Sequence, residues 1–208
     1  MKAFVFVCLL MMGLMGVATP RRHHKAQSNR LPVALYYEAL CPYCMDFVTT
    51  QLGPSMLRLD RLPYTDLKLV PYGNARHDDD GNVDCQHGVN ECELNAWHGC
   101  ILEHHEIAES LKLIACMMRG KKNRLDKCAD RYKINVDDVK NCKKTRNIND
   151  ILEKYSEETA KVPFPGVPAI ALDNIYDENV SANLTENFDA FFCESYKEKF
   201  NKVLDNCQ

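Results

Sequence analysis

Apolar positions along the chain fall into runs and spacings that define a short series of elements. Pro32-Val33-Ala34-Leu35-Tyr36-Tyr37 is a continuous apolar, β-branched and aromatic run, which predicts a buried strand with a proline at its first residue. Cys44, Met45, Val48, Leu52, Met56 and Leu59 recur at three- and four-residue spacing and predict an amphipathic helix. Pro42 suits its first turn, and Gly53-Pro54 predicts a kink or a break. Asp66 to Pro71 predicts a second strand, and residues 73–90, with Gly73, three aspartates and Gly81, read as loop. The helical pattern returns from Glu91 to Arg119, with Leu94, Trp97, His98, Ile101, Leu102 and His105 on one face. Residues 121–145 read as short charged helical pieces, and Ile148, Ile151, Leu152 and Tyr155 mark a further helix. Pro163 to Pro168 forms a rigid turn into a third strand, Ala169 to Leu172, with a short fourth strand near Ile175-Tyr176. Leu184, Phe188, Phe191, Phe192 and Phe200 mark a final helix. A helix joining two parallel strands at the start of such a series predicts an α/β fold. The chain has no internal repeat.

The N-terminus stands apart from this pattern. Lys2, the apolar stretch Phe4 to Leu14 and the small residues Gly16-Val17-Ala18 predict a signal peptide over residues 1–18. That stretch is shorter than the ~20 apolar residues of a membrane span, and no other segment approaches that length, so a soluble mature chain starting near Thr19 is expected. Residues 19–30 are polar and basic, a tail or removable pro-segment, and Arg21-Arg22-His23-His24-Lys25 reads as solvated. The expected domain is 31–208. The formal net charge of -3 gives no support for nucleic-acid binding. The chain has 11 cysteines, and the loss of Cys8 with the signal peptide leaves an even number. A secretory signal with an even cysteine count implies an oxidising compartment and a disulfide framework. The sequons Asn179-Val180-Ser181 and Asn183-Leu184-Thr185 agree with that route. Asn183, with Glu186 three residues on, reads alternatively as the cap of the last helix.

Candidate chemistry starts at Cys41-Pro42-Tyr43-Cys44, at the junction of the first strand and helix. A cysteine at a helix N-terminus meets the positive end of the helix dipole and unpaired N–H groups, which favour its thiolate. The thiolate is the nucleophile of disulfide exchange. Cys41 is thus expected to attack and Cys44, about one turn later, to resolve the mixed disulfide. Pro42 removes one N–H and Tyr43 offers an aromatic surface. Taken alone, a Cys-x-x-Cys is equally a structural disulfide or half of a zinc site, but no further ligands stand near Cys44. Val167-Pro168, just before a later strand, adds context: in thioredoxin-like folds a cis-proline at that place faces the redox pair. The plainer reading of Pro168 is a trans proline that starts a strand.

Cys85-Gln86-His87-Gly88-Val89-Asn90-Glu91-Cys92 continues to Asn95 and Cys100. Cys85, His87 and Cys92 are a conceivable zinc set, which the secretory route disfavours against disulfides, and no metal is expected. If residues 91–119 are helical, Cys92 and Cys100 lie about 12 Å apart along the axis. A disulfide needs Cα atoms within about 7 Å, so each needs a partner outside the helix. The pairing of Cys85, Cys92, Cys100, Cys116, Cys128, Cys142, Cys193 and Cys207 stays open. His87, His98, His104 and His105 read as packing or solvent histidines, charged in an acidic compartment.

These segments resemble the gamma-interferon-inducible lysosomal thiol reductase (GILT) family. Cys41-Pro42-Tyr43-Cys44 fits its redox motif, and Cys85 through Asn95 to Cys100 resembles its signature Cys-Gln-His-Gly-x-x-Glu-Cys-x-x-Asn with a later cysteine. Val167-Pro168 matches the expected cis-proline turn, and the likeness spans roughly residues 31–207. The resemblance implies a thioredoxin-like fold with an inserted disulfide-linked helical block at about 85–145. It implies reduction of disulfide-containing protein substrates at acidic pH in endosomes or lysosomes, or after secretion, linked to antigen processing or innate defence. No cofactor is implied beyond a small-thiol reductant as electron donor. Delivery would use a glycan-dependent sorting receptor or a secreted precursor. Gln208 follows Cys207 directly, so any C-terminal pro-segment is expected to be minimal, and no Lys-Asp-Glu-Leu-type retrieval signal ends the chain. Two other functions fit the same residues: a secretory-pathway disulfide oxidase or isomerase, and a cysteine-rich secreted binding module stapled by Cys41–Cys44.

Overall fold

The structure is a computed structural model, and it describes residues 29–207. The expected signal peptide and nearly all of the polar tail lie outside that range. The expected strands are present: β1 (Leu31–Tyr37), β2 (Thr65–Pro71), β5 (Ala169–Leu172) and β6 (Ile175–Tyr176). They form one mixed sheet in the order β2-β1-β5-β6. β1 runs parallel to β2, with Val33 opposite Leu67 and Tyr37 opposite Pro71, and antiparallel to β5, with Tyr36 opposite Ala169. A central strand is covered on both faces, so its end reads as a continuous apolar run; Leu35, Tyr36 and Tyr37 are all buried. A two-stranded hairpin, β3 (Arg76–His77) with β4 (Val83–Asp84), lies in the segment expected to be loop.

The first helical run differs from expectation at Gly53-Pro54. Pro54 has no N–H to donate, and its ring crowds the carbonyl four residues back. The chain neither breaks nor ends there. Between α1 (Pro42–Asp46) and α2 (Gly53–Leu57) it widens into a π-helical stretch, Phe47–Leu52, and the Gly53 N–H bonds the Val48 carbonyl five residues back.

The single helix expected over 91–119 is two, α3 (Val89–His104) and α4 (Ile107–Met117). His105 and Glu106 are extended, and the buried Ser110 hydroxyl donates to the His105 carbonyl at 3.1 Å, supplying a partner at the break. Two charged helices follow, α5 (Leu125–Tyr132) and α6 (Asp137–Thr145), then α7 (Ile148–Thr159). α3 is buried on most of its surface and packs against α4, α6, α7 and β2. A Cβ at Gly99 would stand 2.9 Å from both Ile151 and Tyr155, so the α3–α7 approach requires glycine.

The final helix is also two, α8 (Glu178–Glu186) and α9 (Phe188–Phe200). Asn183 does not cap the last helix. It lies within α8, and the α9 cap is Asn187, whose side chain accepts from the Ala190 N–H. α8 packs on β5, while α9 packs on the π-helical stretch.

Candidate active site

β1 delivers the chain to the site and the turn Glu38–Leu40 aims it. That turn is clamped by α3: the Ala39 N–H donates to Asn95 Oδ1 at 2.9 Å and the Leu40 N–H to Glu91 Oε2 at 3.1 Å. Cys41 then caps α1. Its sulfur accepts from the Cys44 N–H at 3.3 Å, and Pro42 occupies the first turn without a donor of its own. Tyr43 is 78% exposed, whereas Cys41 and Cys44 are buried.

The Val167–Pro168 peptide is cis and directly precedes β5, whose Ala169 lies opposite Tyr36 near the end of β1. The Cys41 thiol lies 3.7 Å from the Val167 carbonyl oxygen. Tyr43, Asp46, Phe47, Gln51, Pro168 and Thr185 line a shallow groove beside the pair.

The two thiols differ sharply in acidity. The Cys41 thiol is lowered to about 6, first by its hydrogen bond with the Cys44 thiol and then by the Cys44 and Tyr43 N–H groups, against the opposing effect of burial; His87 adds to the lowering. Burial pushes the Cys44 thiol far up, and its contact with Cys41 and the charge of that neighbour push it further. One cysteine is thus available as an anion and the other holds its proton. The expected consequence is an alkylation rate for Cys41 that rises through about pH 6 while Cys44 stays unmodified, read by mass spectrometry after brief exposure to iodoacetamide. A midpoint above pH 8 would show that these hydrogen bonds do not stabilise the thiolate.

Cys41 and Cys44 are the free cysteines among the described residues. The others are paired as Cys85–Cys92, Cys100–Cys142, Cys116–Cys128 and Cys193–Cys207. Cys92 and Cys100 therefore each take a partner outside α3. The Cys85–Cys92 bond also leaves no thiolate for a zinc set with His87.

His87 is instead held against the site. Its N–H donates to Glu91 Oε1 at 3.0 Å, and its Nδ1 lies 2.8 Å from Glu91 Oε2 and 3.3 Å from Glu38 Oε2. The 2.8 Å separation is that of a hydrogen bond. Two ligands of a tetrahedral zinc ion would stand about 3.3 Å apart. Burial and the charge of Glu91 raise the Glu38 carboxyl to about 7.

His98 is a buried packing residue whose Nδ1 meets the Tyr37 hydroxyl at 3.1 Å. Burial lowers its pKa to about 3, so unlike the expectation it stays neutral in acid. The sequence reading passed over Glu38 because a single carboxylate after a strand looks like a surface residue. The spacing of His87 and Glu91 within the Cys85–Cys92 segment was the available signal. Both Asn179 and Asn183 lie on α8, Asn179 exposed and Asn183 half-buried.

Residues 32–132 match a family model described as gamma interferon inducible lysosomal thiol reductase (GILT). The chain is 74% identical over 208 residues, all of both chains, to GILT-like protein 2 of Drosophila melanogaster. It is 32% identical to the gamma-interferon-responsive lysosomal thiol protein of Arabidopsis thaliana, over 95% of this chain and 82% of that one. Identity to the gamma-interferon-inducible lysosomal thiol reductase of Carassius auratus is 30%, over 83% of this chain and 71% of that protein.

Proposed function

The chain belongs to the gamma-interferon-inducible lysosomal thiol reductase family, and from that premise we propose that it reduces disulfide bonds in proteins through Cys41 and Cys44. The observation that carries this reading is the pair of free thiols of opposed acidity at the end of β1, with the Val167 carbonyl beside the more acidic one.

Cys41 thiolate attacks one sulfur of a substrate disulfide, and the other sulfur leaves with the electron pair and takes a proton. Cys44 then loses its proton and attacks the Cys41 sulfur. The Cys41–Cys44 bond forms and the second substrate thiol departs. The substrate has gained two electrons, and a small-thiol donor returns the pair to the reduced state. The exposed Tyr43 and the groove along Pro168 offer an unfolded segment a place to lie.

We read the four-stranded sheet as a thioredoxin-like frame over 31–208, interrupted by the helical block at about 85–145. The working compartment in this reading is acidic and reached by secretion. The names of several relatives include "lysosomal", and the exposed Asn179 suits a glycan. An ordinary thiol of pKa about 8.5 is almost wholly protonated at pH 5, whereas one at about 6 is about one-tenth thiolate.

The test is reduction of a denatured disulfide protein by the mature chain, with a small thiol donor, at about pH 4.5 and pH 7. Turnover at the lower pH supports an acid-active reductase. Turnover confined to neutral pH would move the protein to secretory-pathway redox work, and none at either would leave a binding module.

A further inference from the structure

Resting on the reading of Cys41 and Cys44 as the redox pair, we propose that the cation-rimmed groove between the π-helical stretch and the α4–α5 hairpin is a second contact for protein substrates. It takes an acidic, partly apolar segment of unfolded chain about four to six residues from the substrate cysteine. The contact selects among disulfides that the redox pair alone does not tell apart.

Charge is uneven along the chain. Residues 112–133 carry eight Lys and Arg against Asp126 and Asp130, in a chain whose formal net charge is -3. Asp126 is already paired with Lys140, which stands outside that segment. A basic run by itself is a solvated surface, but this one borders a cavity of about 390 Å³. The π-helical stretch and α2 wall the cavity on one side, and α4 with the end of α5 on the other. Pro54, Leu57, Ala115 and Tyr132 give it an apolar lining, and Arg58, Lys112 and Arg119 supply the charge. Among the described residues no carboxylate lines this cavity, and none of the three cations forms an ion pair. Like charges gathered around a concave apolar surface focus a positive field there.

Two features give the groove a fixed shape. The first is the widened helix. Five residues before Pro54, which has no N–H to donate, stands Thr49, and the Arg119 guanidinium donates to the Thr49 carbonyl at 3.4 Å. The π-helical stretch thus supplies an acceptor that holds Arg119 at the rim, and such stretches recur at functional sites. The second is the Cys116–Cys128 bond, which ties α5 to α4 and so fixes the wall that carries Tyr132. A wall set before binding loses little freedom on binding.

The shape and the chemistry favour a polypeptide. A bilayer cannot enter a concave groove, whereas an extended segment can, meeting cations at the rim and apolar atoms on the floor. Aspartate or glutamate interspersed with apolar residues complements that lining. A second cavity shares Leu57 and Lys112 with the first, but Asp60 lines it as well as Arg30, so the purely cationic lining stops there.

Position links the groove to the redox pair. Thr49 and Thr50 line it, while Asp46, Phe47 and Gln51, from the same helical run, line the groove beside Cys41. Thr49 is eight residues after Cys41, about 12 Å along a helix axis. An extended chain covers that length in about four residues, and one or two more carry it around the helix. Asp46 is exposed on the way and repels acid placed right beside the substrate cysteine. The favoured substrate therefore carries acid at a distance from its cysteine and none alongside.

The experiment compares three unfolded peptides as substrates of the full mature chain, with a small thiol donor, at low ionic strength. Each carries one disulfide. The first has Glu and Leu about four to six residues from each cysteine; in the second and third, Gln or Lys replaces Glu. The Glu peptide is expected to exceed the Gln peptide about 10-fold in kcat/KM, mainly through KM, as three exposed ion pairs of roughly twofold each would give, and salt should shrink the difference. Arg58→Gln with Lys112→Gln, which leaves the Arg119 bond to Thr49 in place, should lose most of the preference. Arg58→Glu with Lys112→Glu should turn it toward the Lys peptide. Equal kcat/KM for all three peptides in the wild type overturns the proposal, as does a wild-type preference in the charge-reversed variant. Vesicles of phosphatidylserine and phosphatidylcholine supply the competing occupant: binding that needs Arg58 and Lys112, with no peptide preference, assigns the groove to an anionic membrane and overturns the proposal too. A labelled, cysteine-free Glu/Leu peptide, followed by fluorescence anisotropy, reads the groove without the redox pair. Binding that the charge-reversed variant loses, with no reduction of any peptide, supports the groove and sinks the redox reading instead.

Discussion

Cys41→Ser is expected to lower disulfide reduction by at least about 10³-fold, and Cys44→Ser to stop at a covalent adduct with substrate. Serine at position 41 keeps the cap of α1, since its oxygen accepts the Cys44 N–H as the sulfur does, so the fold survives while the nucleophile is lost. No other described cysteine is free to take its place. Serine at position 44 leaves the Cys41 thiolate able to attack but removes the sulfur that releases the product. It also removes the largest cause of the acidity of Cys41, its hydrogen bond with the Cys44 thiol, so adduct formation should need a higher pH than in the wild type. Turnover assays and non-reducing mass spectrometry read both outcomes. Ordinary turnover in Cys41→Ser would remove the site from its assigned role.

The largest effect on stability is expected from the pair Cys100→Ala with Cys142→Ala. Their bond joins α3 to α6 across a sequence separation of 42. In the chain-entropy picture, a loop of that length restricts the unfolded state by about 4 kcal/mol. The Cys193–Cys207 bond, with a separation of 14, is worth about 3 kcal/mol by the same relation. Alanine at position 100 leaves space in the middle of α3, where the cysteine is fully buried, which adds to the loss. Urea unfolding of the two double variants should rank them in this order. Equal stability of the Cys100/Cys142 variant and the wild type would mean that packing of α3 against α6 holds the block without the bond.

Elements with a strong local signal were legible in the sequence. β1, β2 and β5 are continuous apolar runs because the sheet is covered, and Cys41 and Pro42 mark a helix start by the chemistry of capping. The breaks at His105–Glu106 and at Asn187 were not legible. Apolar spacing continues through both, from Ile101 to Leu111 and from Leu184 to Phe192, and what ends the helices is a hydroxyl or an amide meeting freed backbone groups. β3 and β4 are two residues long, exposed but for the half-buried Val83, and too short for alternation to register. The disulfide pairs depend on how α3 to α6 pack, which spacing constrains only by exclusion. The surroundings of Cys41 were half legible. The pair and Val167-Pro168 stand out in the sequence, but the environment of Glu38 is made by Gly73, Asn74, His87 and Glu91, which come together only through the turn after β2 and the N-terminus of α3.

A chain that cuts disulfides, as proposed for this one, must live beside copies of itself. Thiolate exchange requires the attacking sulfur to reach a bonded sulfur in line. Cys100, Cys116, Cys128 and Cys142 are at most 4% exposed, and Cys85 and Cys92 are buried as well. Reaching any of them requires local unfolding first. Cys193–Cys207, where both residues are only half-buried, is the bond a neighbouring molecule can approach. Self-inflicted damage therefore has one point of entry, at the C-terminal end of the described chain and away from the helical block that clamps the turn before Cys41.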